Sequence, residues 1–459
     1  MEFAKDLFKN HRYAILGLGK NGNAAALRLQ AMGATIQIWD DQPQKRQETP
    51  PQLQNCIKEF SSLEGFDALV LSPGIPHYLP TPHPVALLAQ EAHIPILSDA
   101  ELLFKAVKSS HSTARFAAIT GTNGKSTTTV LLAHLLKHAG IPSAAGGNLG
   151  PAALALPYLD GNGVYVLEMS SYMLERLSQF VADTACFLNI TPDHLDRHGD
   201  MEHYTEAKMH IFDHQNASCQ AVIGIEEVLC QKAAQTLLQR GISVTTITGL
   251  NKSADIWVEN NILQDKNGKI ADLGKALFLP SSHNAQNAAA ATAMALYLGV
   301  PREEIEPGLI TFKGLAHRQR PVATIDGITF IDDSKATNAD AAARALQCYD
   351  DIIWIAGGMA KAGGIDDLAP YFPRISLVLL IGRDAPLLAE TLERYSVSYK
   401  IVGTLEKAVA SAFEIAKQEK ISTVLLSPAC ASFDQFRSFE ERGDIFAQQV
   451  QMLRKNDLS

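Results

Sequence analysis

Three stretches of this chain combine residue types that act on phosphorylated ligands. The first is AAITGTNGKSTTTVLLAHLL, residues 117–136, where a short apolar run ends in Gly121, Thr122, Asn123, Gly124, Lys125, Ser126 and Thr127 and an apolar-periodic segment follows. A glycine turn at a helix N-terminus aims unpaired backbone N–H groups at one point, and the helix dipole adds partial positive charge there. Lys125 is placed to reach terminal phosphate oxygens, and the Ser126 hydroxyl is a ligand type that magnesium accepts. The standard eight-residue phosphate loop asks for glycine where this chain has Ile119, so the tighter TGTNGKST stands in for it. A plain strand–helix turn would leave the Lys-Ser pair after glycine without a purpose, so a bound nucleoside triphosphate is expected.

The second stretch would serve the splitting of that triphosphate, which needs metal and charge neutralisation. Glu168 ends the apolar run VYVLE, at the strand edge that faces a ligand crevice, and magnesium prefers such oxygen ligands. Spacing alone serves equally well a glutamate that caps the next helix. NITPDHLDRHG sets Asp193, His194, Asp196 and His198 beyond another strand, either as a metal cluster or as a capped helix start. Lys208, in MEHYTEAKMHIF, reads by itself as a surface lysine. The third stretch is GLGKNG at 17–22, a G-x-G-x-x-G turn after a strand, with Asp40 at the end of the next strand. It has the form of a dinucleotide fingerprint and on its own indicates only a phosphate-bearing ligand. Two phosphate cradles suggest two nucleotide-like ligands, one split and the other a handle on a substrate.

Short apolar strands alternating with helices must position these turns. YAILGLGKNGNAAALRLQAMGATIQIWDD, DALVLSPGIP and IPILSDAEL form a first α/β block, and the polar KSSHSTARF (108–116) reads as a linker. VYVLEMSS, TACFLNITPDH, CQAVIGIEE and ISVTTIT form a second block, closed by the helical NAQNAAAATAMALYLG. ITFIDDSKATN, IIWIAGGMAK, ISLVLLIG and TVLLSPACASF form a third after GLAHRQRP. The pattern implies an α/β protein with mostly parallel sheets covered on both faces. A chain of 459 residues is too long for one core. Its net charge of −9 argues against a broad nucleic-acid surface. Six scattered cysteines without metal or redox spacing read as free thiols of a reducing cytoplasm. MEFAKDLFKNHR lacks the apolar centre of a signal peptide, and no run reaches membrane-spanning length, so a cytoplasmic protein without membrane contact is expected.

TGTNGKST, LEMSSYMLE, NITPDHLDRH, HNAQNAAAA, GLAHR, FIDDSKATN and LSPACASFDQF occur together in an order that resembles the Mur ligases of peptidoglycan synthesis, over essentially the whole chain. Among these ligases, DSKATN and SPACASFDQF are similar to the D-glutamate-adding branch. The resemblance implies three domains: a Rossmann-like UDP-substrate domain at 1–107, a central P-loop ATPase at 108–313, and a C-terminal Rossmann-like domain at 314–459. It implies an ADP-forming amide ligase that joins D-glutamate to UDP-N-acetylmuramoyl-L-alanine through an acyl phosphate, with ATP and magnesium, acting as a monomer. It further implies that Ser126, Glu168, His194 and Lys208 serve the metal ions, with Lys208 as a carbamate, and that Asn284, Asn287, Arg318 and Asp333 lie on the nucleotide side. Lys20, Asn21, Asp40, Asp41, Ser72, Gly74, Asn148 and His194 would face the UDP substrate. Lys335, Thr337, Lys361, Ser427 and Phe433 would line the D-glutamate pocket, so that the second and third blocks must meet for reaction. The chain departs from the family at Met173, where a glutamine is frequent, at Gln319 within HRQR, and at Met359, where an acidic residue often precedes the lysine. Three rivals remain on sequence grounds: an NAD-dependent oxidoreductase built on GLGKNG, a nucleotide-gated binding protein without turnover, and an amide ligase for another amino acid.

Overall fold

The computed structural model describes residues 2–250, 254–276, 278–279, 282–360 and 364–456. Contacts divide the chain into two units, Met1–Lys313 and Gly314–Ser459. The first unit carries two sheets. Its four-stranded sheet runs, in spatial order, Thr35–Trp39, Arg12–Leu16, Ala68–Leu71 and Ile96–Leu97, all parallel. The glycine turn leaves the strand Arg12–Leu16 and enters the helix Lys20–Ala31. Gly17 has φ +97°, and a Cβ on Gly22 would lie 1.8 Å from the Gly17 carbonyl, so both positions require glycine.

The nine-stranded sheet begins at one edge with Ser143–Gly147, followed by Val164–Glu168, Arg115–Thr120, Thr184–Phe187, Gln220–Gly224, Ser243–Thr248 and Ile256–Glu259, all parallel. An antiparallel tail, Ile262–Asp265 and Gly268–Asp272, completes it. Central strands such as VYVLE are wholly buried, which is why they read as unbroken apolar runs. The helices Lys125–His138 and Ser282–Tyr297 pack on one face, where Leu131, Leu132 and Leu135 meet the alanines of the second helix in a single apolar cluster. KSSHSTARF is shorter as a connection than its polarity suggests. The helix Asp99–Ser109 runs into it, with the Lys108 ammonium over the Phe104 ring, and the next strand starts at Arg115.

Buried charged groups tie the two sheets of this unit together. The Glu101 carboxylate, with no exposed surface, accepts the backbone N–H groups of Ser178, Gln179 and Phe180. Asp99 accepts from Ala153 N at 2.7 Å. Arg176, 1% exposed, donates to the carbonyls of Leu71, Ser72 and Ile75. Replacing it by methionine would keep the stem's packing and leave those carbonyls without their donor. Arg176→Met is therefore expected to cost about 3 kcal/mol, read as a lower urea midpoint of the full chain; an unchanged midpoint would contradict this.

The second unit is a six-stranded sheet in the order Arg320–Ile325, Ile328–Asp332, Thr423–Leu426, Ile352–Gly357, Ile375–Ile381 and Tyr399–Gly403. Only the first pair is antiparallel. The helices Ala339–Leu346 and Ala385–Arg394 contribute to an apolar cluster with Trp354, and Leu405–Glu419 and Phe439–Asn456 to a second cluster with Phe330, so both faces are covered.

Candidate functional site

The turn after the strand Arg115–Thr120 is held in shape by residues far away in sequence. Asn189 is the key brace: its backbone carbonyl accepts Thr122 N at 3.0 Å, and its side-chain Oδ1 accepts Asn123 N at 2.8 Å. Its Nδ2 donates to Gln286 Oε1 at 2.8 Å, which fixes the amide orientation. Thr122 Oγ1 donates to the Thr191 carbonyl at 3.2 Å. Gly124, with φ +80°, caps the following helix, and a Cβ there would stand 2.1 Å from Asn287 Oδ1. Asn287 also accepts from Thr128 Oγ1 at 3.2 Å and donates to Asn284 Oδ1 at 3.3 Å. Of the two asparagines that the resemblance assigns to the nucleotide, Asn287 thus sits directly against the glycine turn and Asn284 is joined to it. Asn189 and Gln286 were not singled out in the sequence; an asparagine two positions beyond the strand Thr184–Phe187, beside the turn-bearing strand in the sheet, is the signal that could have found the first.

Two lysine amines converge on this turn. Lys125 Nζ donates to the carbonyls of Gly121 and Thr122 at 2.9 and 2.8 Å, and Lys208 Nζ donates to the same Gly121 carbonyl at 2.9 Å. Lys208 is not a surface residue: it is 1% exposed, with its ammonium 4.5 Å above the Tyr204 ring. Burial, then the nearby Lys125 charge, pushes its pKa well below the usual ammonium range.

Glu168 ends its strand beside the turn, 2% exposed. Its Oε1 accepts Asn148 Nδ2 at 2.7 Å, while its buried Oε2 has no hydrogen-bond partner among the described residues. A buried carboxylate oxygen left unpaired is costly, and a cation would satisfy it. The residues therefore fit a divalent ion with oxygen ligands. His194 stands in a left-handed conformation, φ 53°, at the start of the short helix Leu195–His198, with its ring against Tyr172 and Tyr204. Burial lowers its pKa, opposed by Asp193. Asp193 and Asp196 are exposed and His198 is buried. Among the described residues no group of three His, Cys, Asp or Glu side chains could hold a metal by itself, so the cluster reading of NITPDHLDRHG is not met. Magnesium, which keeps waters and phosphate oxygens as ligands, needs only one or two protein carboxylates.

In the four-stranded sheet Asp40 turns back onto the glycine turn, its two oxygens accepting Leu18 N at 2.7 Å and Gln42 N at 2.9 Å. Ser72 Oγ donates to the Gly17 carbonyl at 3.0 Å. Both residues shape the cradle rather than project from it. Asp41 accepts from Trp39 Nε1 and pairs with His83 Nε2 at 2.8 Å. Lys20 and Gly74 are exposed and Asn21 half-buried. Lys20 Nζ comes within 3.5 Å of where a Gly150 Cβ would stand, so it reaches the GGNLG segment that carries Asn148. Met173 is buried in the core and presents no polar atom.

In the second unit Asp333 and Ser427 form one buried pair, Ser427 Oγ donating to Asp333 Oδ2 at 2.7 Å, while Gln319 N donates to Asp333 Oδ1 at 3.1 Å. The Ser427 hydroxyl proton is therefore committed to Asp333. Lys335 Nζ lies 5.7 Å from the Phe439 ring centre, Thr337 is half-buried, and Phe433 is 69% exposed. Met359 pairs its backbone with Ala431 at the start of the next loop; Lys361 lies outside the described residues. Burial raises the Asp333 pKa to about 7, opposed by the Ser427 hydrogen bond and then Arg318. A raised folded-state pKa means that this group's stabilisation is complete below its unfolded value near 4 and is lost as pH rises to about 7. The advantage of the parent chain over Asp333→Asn in unfolding free energy, from urea titrations, should accordingly shrink between about pH 4 and about pH 7, by an amount of order 2–4 kcal/mol, and a pH-independent difference would contradict it.

Similarity to known proteins agrees with this geometry. Residues 119–295 match the model of the Mur ligase middle domain, and residues 317–430 that of the Mur ligase glutamate ligase domain. A UDP-N-acetylmuramoylalanine–D-glutamate ligase of Paramagnetospirillum magneticum is 46% identical over 97% of this chain and 97% of its own. The enzyme of the same name from Rhizobium etli is 44% identical over 97% of this chain and 96% of its own. Among solved structures, the UDP-N-acetylmuramate–alanine ligase of Thermotoga maritima shares the fold, with a TM-score of 0.59 at 19% identity, covering 96% of this chain and 99% of its own. Among the described residues no helix is long and apolar enough to cross a membrane.

Proposed function

The chain belongs to the Mur ligase family, and from that membership and the site geometry we infer that it is the ATP-dependent ligase that adds D-glutamate to UDP-N-acetylmuramoyl-L-alanine in peptidoglycan precursor synthesis. The observation that carries the phosphoryl-transfer chemistry is the meeting of the Lys125 and Lys208 amines on the Gly121 carbonyl. An oxidoreductase or a passive nucleotide binder would have no use for two lysine amines on one phosphate turn, one half-buried and one buried, with the unpaired Glu168 oxygen close by.

The alanyl carboxylate of the substrate is a poor electrophile because oxide is a poor leaving group. Transfer of the ATP γ-phosphoryl to it gives an acyl phosphate, which the D-glutamate amine attacks to yield the amide, phosphate and ADP. The N–H groups of Gly124, Lys125 and Ser126 bind the phosphates at the helix N-terminus, and Lys125 exchanges its loop carbonyls for phosphoryl oxygens, neutralising the charge spread over them in the transition state. Magnesium, when bound, supplies further neutralisation of that charge. Ser126, Glu168, His194 and a modified Lys208 are the residues of this chain that would hold it. Asn148 fixes Glu168 so that its open oxygen keeps one direction. His194, committed to metal, is not free to act as a base. Asn284, Asn287, Arg318 and Asp333 take the nucleotide. Lys20, Asn21, Asp41 and Gly74 take the UDP group on the cradle that Asp40 and Ser72 shape. Lys335, Thr337, Lys361 and Phe433 receive D-glutamate, whose carboxylates suit cations and a neutral donor, and Ser427 lines the same pocket with its hydroxyl turned to Asp333.

The division of labour follows the segments 1–107 for the UDP substrate, 108–313 for ATP and 314–459 for the amino acid, in a monomer of the cytoplasm. A panel of D- and L-amino acids, each supplied with ATP, magnesium and the UDP-linked sugar-alanine, tests the assignment. ADP release should appear with D-glutamate and fall to background with L-glutamate and D-alanine. Release that is independent of the amino acid, or selective for another one, would overturn it.

A further inference from the structure

His198 has no role in the reaction as derived so far, yet it is among the most constrained side chains near the site. It closes the loop that carries His194 and is 4% exposed. Its Nε2 lies 2.9 Å from Ser171 Oγ, and its Nδ1 lies 3.2 Å from Glu175 Oε1. A carboxylate only accepts, so the ring proton belongs on Nδ1, and Nε2 then accepts from the Ser171 hydroxyl. The ring stacks on Tyr172 at 5.6 Å and 15° and meets Tyr204 at 5.1 Å. The same two tyrosines hold His194, at 5.2 and 6.3 Å. The serine–histidine–carboxylate order has the connectivity of a hydrolytic relay, but Ser171 is 2% exposed and no substrate can reach it.

The placement of these partners gives the arrangement a purpose. Ser171, Tyr172 and Glu175 lie on the segment directly after Glu168. His198 lies on the loop of His194. Tyr204 lies on the helix Met201–Met209, one turn before Lys208. We propose that His198 is a positioning residue for phosphoryl transfer: by joining Ser171 and Glu175 to the His194 loop, and by packing on Tyr204, it fixes the mutual placement of Glu168, His194 and Lys208. The proposal rests on the metal-binding roles given above to those three residues. Partners that orient metal-binding groups typically change metal affinity by about ten-fold or more when removed.

The test compares three variants in the full-length chain. His198→Phe keeps an aromatic ring between the tyrosines and deletes both polar contacts. His198→Gln keeps a donor and an acceptor. Ser171→Ala removes one contact only and serves if His198→Phe does not fold. Two readouts are taken: Mn2+ binding by electron paramagnetic resonance in the presence of ADP, and the magnesium concentration for half-maximal ADP formation at saturating substrates. His198→Phe should weaken both by about ten-fold, with KM for the UDP substrate unchanged; His198→Gln should restore most of the loss, and Ser171→Ala should show about a three-fold effect. Unchanged Mn2+ affinity in a folded His198→Phe, or in Ser171→Ala if His198→Phe does not fold, would overturn the proposal. Equal losses in His198→Phe and His198→Gln would also overturn it. A parent chain that binds Mn2+ with ADP but forms no ADP with D-glutamate would instead refute the assigned reaction, and the binding comparison would still decide the role of His198.

Discussion

Lys125→Ala should abolish measurable ADP formation, a fall of about 10^3-fold or more in kcat, while binding of the UDP-linked substrate stays within about two-fold. The amine now bridges the Gly121 and Thr122 carbonyls, so the turn holds a cation at the point where phosphoryl oxygens would arrive. Exchange of carbonyl for phosphoryl oxygens requires little movement, and the gain is largest when charge spreads over the transferring group. Alanine removes that charge without unravelling the turn, because Asn189 secures Thr122 and Asn123 independently of the lysine. The UDP cradle is built on another sheet, where Asp40 and Ser72 hold the glycine turn. Calorimetry with the UDP substrate and a coupled ADP assay separate the two effects. Near-normal turnover would remove Lys125 from the phosphoryl site, and a parallel loss of UDP-substrate binding would mean that the variant fails by misfolding.

The parts of this site that could be read in the sequence are those whose physics is local. TGTNGKST declares a strand, a left-handed glycine and a helix N-terminus within eight residues, and the structure has all three. The buried parallel strands were legible because burial on both faces forces unbroken apolar runs. The strand Ile256–Glu259 and the antiparallel tail Ile262–Asp265 and Gly268–Asp272 were not, since they are short, half-exposed and partly polar and draw on pairing with their neighbours in the sheet.

Long-range partners were the other silent class. Asn189 and Glu101 look like ordinary polar residues, and Arg176 like a solvated one, until the fold brings backbone groups to them. Ser427 shows the converse: its type suits a carboxylate ligand, but whether its proton is available depends on Asp333, 94 positions earlier in the chain. Lys208 is the sharpest case. Its helix pattern describes a solvent-facing lysine, and only the resemblance to Mur ligases indicated otherwise. The physical reason lies in tertiary structure, because Tyr204 and the Gly121 carbonyl supply an apolar floor and one acceptor that no local window contains.

Lys208→Ala should be as inactive as Lys125→Ala, but for a different reason and with a different remedy. A lysine ammonium, 1% exposed beside a second cation, adds to the positive charge of a site meant for metal and phosphate. Its depressed pKa keeps a share of the amine neutral, and only the neutral amine attacks carbon dioxide. In that step the nitrogen lone pair forms the N–C bond, a C=O π pair moves onto oxygen, and one proton leaves to solvent. A cation would thereby become an anion able to hold magnesium, which prefers charged oxygen ligands. Alanine would delete that anion and leave a cavity leading to Gly121. Acetate or formate should fill it and restore part of the activity in a saturable way, whereas Lys208→Met, which occupies the same volume with an apolar chain, should be equally inactive and resist rescue. Depleting carbon dioxide should slow the parent enzyme and leave the rescued variant untouched. Full activity of Lys208→Ala without added carboxylate would end the carbamate assignment, and rescue of Lys208→Met to the same extent would show that the carboxylate acts somewhere other than the position of this side chain.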